Sequence, residues 1–165
     1  MRILIKDFPQ HVNEEITLKG WLYNKRSSGP IAFLELRDGY GWVQAVVVKS
    51  AVSATVWEAA EKVAQESSVE VKGVVTKHPK KENVFELQVT DLKIIQLAEN
   101  YPIALKDHGP DFLMDNRHLW LRSKKQWAIL RIRDAIFFAI GEYLHQQNFI
   151  RVDAPIFTPN ACEGT

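Results

Sequence analysis

From Glu15 to about Leu97 apolar residues alternate with period two, broken by one helical insert, and from Ser123 to Gln147 they fall at helical spacing. Each period presents a single apolar face only in its own conformation, so a chain that changes period this way builds a sheet first and a long helix afterwards. The first alternation puts Ile16, Leu18, Gly20 and Leu22 on one strand face and Thr17, Lys19, Trp21 and Tyr23 on the other. Asn24 to Pro30 reads as a loop, Ile31 to Arg37 as a second strand ended by the Asp38-Gly39 turn signal, and Gly41 to Val48 as a third. Ser53 to Gln65 carries Val56, Ala59, Ala60 and Val63 at helical spacing, with Ser53 placed as an N-cap. Val69, Val71, Gly73 and Val75 then alternate with Glu70 and Lys72. After the polar loop His78 to Asn83, a fifth strand sets Phe85, Leu87 and Val89 against Glu86, Gln88 and Thr90.

The result is an antiparallel sheet or barrel in the order three strands, helix, two strands. That is the layout of the oligonucleotide/oligosaccharide-binding (OB) barrel, whose second- and third-strand face commonly receives single-stranded nucleic acid. Past Tyr101-Pro102 an irregular stretch, bearing aspartate and proline, runs to about Arg122. Phe149 to Asp153 looks like the start of a strand stopped by Pro155. One helix and one strand cannot bury a core of their own, so residues 123–165 read as the opening of a larger domain. The expected fold is mainly β with α: a five-stranded OB barrel over 1–102, a hinge over 103–122, and the first helix and strand of an incomplete α+β domain over 123–165.

Charge narrows the partners. With 21 Lys+Arg against 20 Asp+Glu the net charge is +1, which excludes a bulk polycation, so any polyanion must be held by a local patch. One such patch is Arg117 to Arg133, with six basic residues and no acidic one; it suits a polyanion or simply solvates a helix start. The single cysteine, Cys162, excludes an internal disulfide, and the five histidines lack zinc-site spacing, so no metal is expected. The early Asp7 argues against a signal peptide, and Arg131, Arg133 and Asp134 interrupt the most apolar long stretch. A cytoplasmic protein with no membrane partner is expected.

Within Ile31 to Arg37 the aliphatic set is Ala32, Leu34 and Leu36, which leaves Phe33 pointing outward beside Glu35 and Arg37. An outward aromatic flanked by charge suits base stacking, which contributes roughly 1–3 kcal/mol per base. The same ring equally suits a cap on the barrel end or a place under the 24–30 loop. Trp21 and Tyr23, with Lys19, extend this wet aromatic surface. Lys25 and Arg26 open the following loop and either meet phosphates or a base edge, or stay solvated. Gln44, in the apolar run Val43 to Val46, needs partners from the protein or from a base edge. Glu86, outward on the fifth strand, is a base-reading acceptor if RNA crosses the barrel, and otherwise a surface carboxylate. There is no phosphate-cradling glycine loop, nucleophile elbow or Ser/His/Asp set, and Cys162 has no nearby base.

Seven stretches stand out together: Gly20 to Arg26, Phe33 to Gly39, Val43 to Ala45, Phe85 to Leu87, Asp111 to Asp115, Arg117 to Arg122 and Ala154 to Thr158. With them the chain, over essentially its whole length, resembles the asparaginyl-tRNA synthetases, class II enzymes of the aspartate/asparagine/lysine subgroup. The segment Arg117-His118-Leu119-Trp120-Leu121-Arg122 is similar to the asparaginyl form of a segment that aspartyl enzymes usually write with Tyr-Leu-Asp. The resemblance implies that Phe33 stacks on the middle anticodon base of tRNA(Asn), Gln44 hydrogen-bonds it, Arg26 contacts the anticodon nucleotides and Glu86 helps read the last base. It implies a homodimer through motif 1, matched by Phe149 to Pro155, and a contact of Glu163 with the amino-acid substrate. It further implies that the parent enzyme uses ATP and Mg2+ to make asparaginyl-adenylate and passes asparagine to the tRNA 3′ end. Motifs 2 and 3 are not among these residues, so residues 1–165 alone are expected to form no adenylate and to hold no cofactor. A free-standing tRNA-binding module and the N-terminal part of an aspartyl-tRNA synthetase remain open as alternatives.

Overall fold

The computed structural model describes residues 3–157, and the chain divides into two compact units between Tyr101 and Pro102. In the first unit a 3-10 turn (Ile5–Gln10) leads into β1 (Glu15–Ser28), β2 (Ile31–Arg37), β3 (Trp42–Val48), α1 (Ala54–Lys62), β4 (Ser68–Lys77) and β5 (Phe85–Gln96). The strands close into a barrel in the order β1-β2-β3-β5-β4, with β4 pairing back onto β1. Four of the pairings are antiparallel; β3 and β5 run parallel, through Gln44↔Glu86, Ala45↔Leu87 and Val46↔Gln88. That one parallel contact departs from the all-antiparallel expectation, and it follows from α1 carrying the chain across the barrel between β3 and β4.

The inward set is the one the alternation names: Ile16, Leu18, Leu22, Leu34, Leu36 and Leu87 are each at most 4% exposed. Ser53 caps α1 by accepting the Val56 N–H (3.3 Å), and Val56, Trp57 and Ala60 are buried. The helix stops at Lys62, short of Gln65, and the chain then takes φ +66° at Glu66. A larger departure concerns residues 24–30. These are not a loop: β1 continues to Ser28, and only Gly29 and Pro30 turn. Gly29 has φ +56°, and the proline ring fixes the next φ near about −65°, the sign order of a primed hairpin turn that matches strand twist.

In the second unit the stretch expected to be irregular contains two short helices, α2 (Pro110–Asp115) and α3 (Arg117–Trp120), ahead of α4 (Lys124–Gln146). Pro110 stands at the first helical turn of α2, where its missing N–H costs nothing. Ser123 caps α4 by accepting the Gln126 N–H (3.4 Å). Asn148, at φ +64°, ends it. There the Phe149 N–H bonds Leu144 O (3.1 Å) and the Asn148 N–H bonds His145 O (3.0 Å), closing the last carbonyls. The expected strand over Phe149–Asp153 does not form. An isolated segment has no ladder to join, and among the described residues no other strand lies beside it. No helix of the described residues is long and apolar enough to cross a membrane.

Candidate nucleic-acid interface

The outer face of the barrel owes its composition to one extra residue. Leu22 pairs with Leu36, but Asn24 pairs with Glu35, so Tyr23 is bulged out of the β1–β2 ladder. Residues opposite each other on antiparallel strands share a face, and a one-residue bulge therefore reverses the phase of everything after it. Before the bulge the even residues of β1 face the core; after it Arg26 pairs with Phe33 and faces outward, while Lys25 pairs with Leu34. Without the bulge Arg26 would have the phase of Ile16, Leu18 and Leu22.

Arg26, Phe33, Gln44 and Glu86 thus fall on one surface spanning β1, β2, β3 and β5. The Arg26 guanidinium lies 4.6 Å from the Phe33 ring centroid, and its Nη2 donates to Gln44 Oε1 (3.0 Å). Gln44 Nε2 donates to Glu86 Oε1 (2.8 Å). A cavity of about 250 Å³ opens here, lined by Asn24, Lys25, Arg26, Phe33, Glu35, Trp42, Val43 and Gln44. Phe33 is half-buried against its cross-strand neighbours.

Two quantities describe what the surface can do. A cation–π contact at an exposed site contributes about 0.5–1 kcal/mol, whereas a base stacked on an aromatic side chain contributes roughly 1–3 kcal/mol. A base stacked on Phe33 would gain at least as much from the ring as the guanidinium does, and a displaced guanidinium would have its donors available to phosphate or a base edge. The Gln44 amide spends one N–H on Glu86 and one lone pair on Arg26, which leaves the chemical capacity of one donor and one acceptor for a base. Lys25 reaches away to donate to the Glu61 carbonyl near the end of α1. Partial desolvation holds its pKa below the usual lysine value, with the Glu61 charge pulling the other way.

Two expectations need correction. Glu86 is not an open surface carboxylate: it is 7% exposed, covered by Gln44 and by His78, whose Nε2 lies 3.7 Å from Glu86 Oε1. Trp21 and Lys19 do not extend the Phe33 surface, whereas Tyr23 borders it through Trp42. Trp21 and Lys19 line a separate groove with Glu70 and Ile95, and the Arg37 guanidinium, paired with Glu66, sits 4.9 Å from the Trp21 ring centroid. The Tyr23 ring packs edge-on against Trp42 (6.0 Å). Trp21 and Phe33 both face outward but stand apart along the ladder, Trp21 opposite Arg37 and Phe33 opposite Arg26.

His78 is the residue the sequence did not flag; its only signal was a histidine within the polar loop just ahead of Phe85-Glu86. Asn24 and Trp42 were also missed, Asn24 because its segment read as a loop. Farther along the chain Phe149 is 64% exposed and Pro155 is exposed, without partner strands among the described residues. Glu163 and Cys162 lie outside the described residues. Among the described residues no three His, Cys, Asp or Glu side chains gather as metal ligands.

Comparison with known proteins adds a second line. The family of OB-fold nucleic acid binding domains matches residues 16–95, and that of class II tRNA synthetases (D, K and N) matches residues 109–165. The chain is 54% identical to an asparagine–tRNA ligase of Sorangium cellulosum, across 99% of this chain and 37% of the relative. It is 51% identical to that of Desulforamulus reducens, across 98% of this chain and 38% of the relative. The crystal structure of asparaginyl-tRNA synthetase from Pyrococcus horikoshii complexed with asparaginyl-adenylate superposes with TM-score 0.88 at 32% identity, covering 99% of this chain and 38% of that one. The chain therefore spans a little over a third of the length of the proteins it matches. It is a homologue of the asparaginyl-tRNA synthetases along nearly all its residues, carrying an OB-fold domain followed by the start of a class II synthetase domain.

Proposed function

We propose that residues 1–102 bind the anticodon of tRNA(Asn) across the outer face of β1, β2, β3 and β5, and that this chain serves an asparagine–tRNA ligase. The observation that carries the reading is the convergence of Arg26, Phe33, Gln44 and Glu86 into one hydrogen-bonded, ring-bearing surface from four strands. Phe33 stacks on the middle base, Gln44 meets that base's edge, Arg26 takes the anticodon nucleotides and Glu86 helps read the last base. Residues 103–122 act as the hinge and 123–165 open the catalytic domain.

In the complete ligase ATP and Mg2+ activate asparagine to asparaginyl-adenylate, and the tRNA 3′ hydroxyl accepts the amino acid. The described residues assemble no metal-ligand group, so no step of that chemistry is assigned to them, and Glu163 is the one proposed amino-acid contact. The second partner is another copy of the chain. Ile132, Ile136, Phe137, Phe138, Ile140 and Tyr143 of α4 are each more than half exposed, which suits a homodimer through motif 1, from α4 through Phe149 to Pro155.

Titration of anticodon stem-loops bearing GUU, GUC and an unrelated triplet, at one stated salt concentration, tests the reading. GUU is expected to bind best, and Phe33→Ala to weaken it by about 1–3 kcal/mol with the barrel still folded. A preference for GUC moves the assignment to an aspartyl enzyme, and equal binding of all three, insensitive to Phe33, removes the anticodon role.

A further inference from the structure

The loop between β4 and β5 meets the interface through His78. The His78 N–H donates to Val84 O (2.8 Å), closing the base of the loop, and the Lys80 N–H donates to His78 Nδ1 (3.0 Å). Only an unprotonated ring nitrogen accepts an N–H, so Nδ1 carries the lone pair and the proton of the neutral ring sits on Nε2. Nε2 lies 3.7 Å from Glu86 Oε1, the same oxygen that takes the Gln44 amide N–H at 2.8 Å. The two side chains are 20% and 10% exposed. At that separation the N–H dipole attracts the carboxylate without making a full hydrogen bond. A carboxylate this covered needs donors on more than one side to hold its charge.

We propose that His78 is a positioning residue for base recognition: its Nε2–H steadies the Glu86 carboxylate, which in turn aims the Gln44 amide at the bound base. The loop backbone, through Lys80, selects the tautomer that makes this possible. Lys80 and Lys81 follow His78 on the same loop, Lys77 ends β4 just before it, and all four line one cavity, so a cluster of basic side chains adjoins the residue that touches the Glu86–Gln44 pair. The base-recognition half of the proposal rests on the anticodon reading above; the link from His78 to Glu86 and Gln44 does not.

Two measurements on the full chain test it. In the RNA-free protein, proton–nitrogen NMR of the histidine rings is expected to show His78 protonated at Nε2. His78→Ala is expected to shift the Gln44 side-chain amide and Glu86 carboxyl signals, and His78→Gln, which keeps a donor, to restore most of that shift. Protonation at Nδ1, or Gln44 and Glu86 signals untouched by His78→Ala, overturns the proposal whatever RNA does. With stem-loops, His78→Ala is expected to narrow the preference for GUU over GCU, which differs at the middle base that Gln44 meets, by several-fold, less than the loss of one full hydrogen bond to a charged group, and His78→Gln to recover it. Equal weakening for every triplet marks His78 as a structural loop residue and overturns the proposal. A wild-type chain that does not discriminate triplets removes the anticodon reading instead, while the NMR result still decides whether His78 positions Glu86 and Gln44.

Discussion

Among single residues, Glu86 and Gln44 show how a sheet position becomes a site. Gln44 sits in an apolar strand and Glu86 on the facing strand, and the parallel register brings them directly opposite. Each satisfies the other, so Gln44→Leu leaves a covered carboxylate short of a donor. That substitution is expected to cost about 1–3 kcal/mol of stability in urea unfolding, more than an exposed glutamine would. Lys25 gives a pH prediction. Its folded pKa is depressed, so between that value and the usual lysine value the unfolded chain binds more protons, and stability rises with pH through that alkaline window. Lys25→Met is expected to flatten this slope in thermal melts across the window. The outward position of Phe33 and the polar demand of Gln44 were legible in the sequence, because both follow from which neighbours are aliphatic. The burial of Glu86 was not, because a residue on another element, His78, covers it.

At the scale of elements, barrel closure depends on places where the strands come closer than side chains allow. A Cβ on Gly73 would stand 2.3 Å from Gln88 O, and one on Gly20 2.3 Å from Arg37 O, both against backbone that has nowhere to move. Gly73→Ala is therefore expected to destabilise the barrel at or above the upper end of the ~1–3 kcal/mol typical of overpacked sites, read as a lowered urea midpoint. A second irregularity, at Thr90, lets β5 change phase. Val89 and Leu92 both face inward with Thr90 and Asp91 exposed between them, and the freed Thr90 hydroxyl donates to Glu15 (2.9 Å). The misreading of residues 24–30 has a different cause. The run Asn24 to Pro30 is polar because both its faces meet solvent or the site, and period-two analysis sees a strand only where one face is apolar.

For the whole molecule, the change of period separates a unit with a closed core from one whose long helix keeps its apolar residues exposed. If α4 pairs with a second copy, the chain is expected to show a concentration-dependent mass in sedimentation, and Ile132→Lys combined with Phe138→Lys to abolish it while leaving the barrel's melting unchanged. A monomer at high concentration counts against the dimer. Legible along the chain were the order of the barrel elements, the N-cap Ser53 and the inward-facing residues, since backbone sterics and hydrophobic periodicity act over a few neighbouring positions. Which outward residues share a surface is set by strand pairing. The bulge at Tyr23, the parallel pairing of β3 with β5 and the seat of His78 over Glu86 exist because five strands must close on one another, and the residues that closure brings together are distant in sequence.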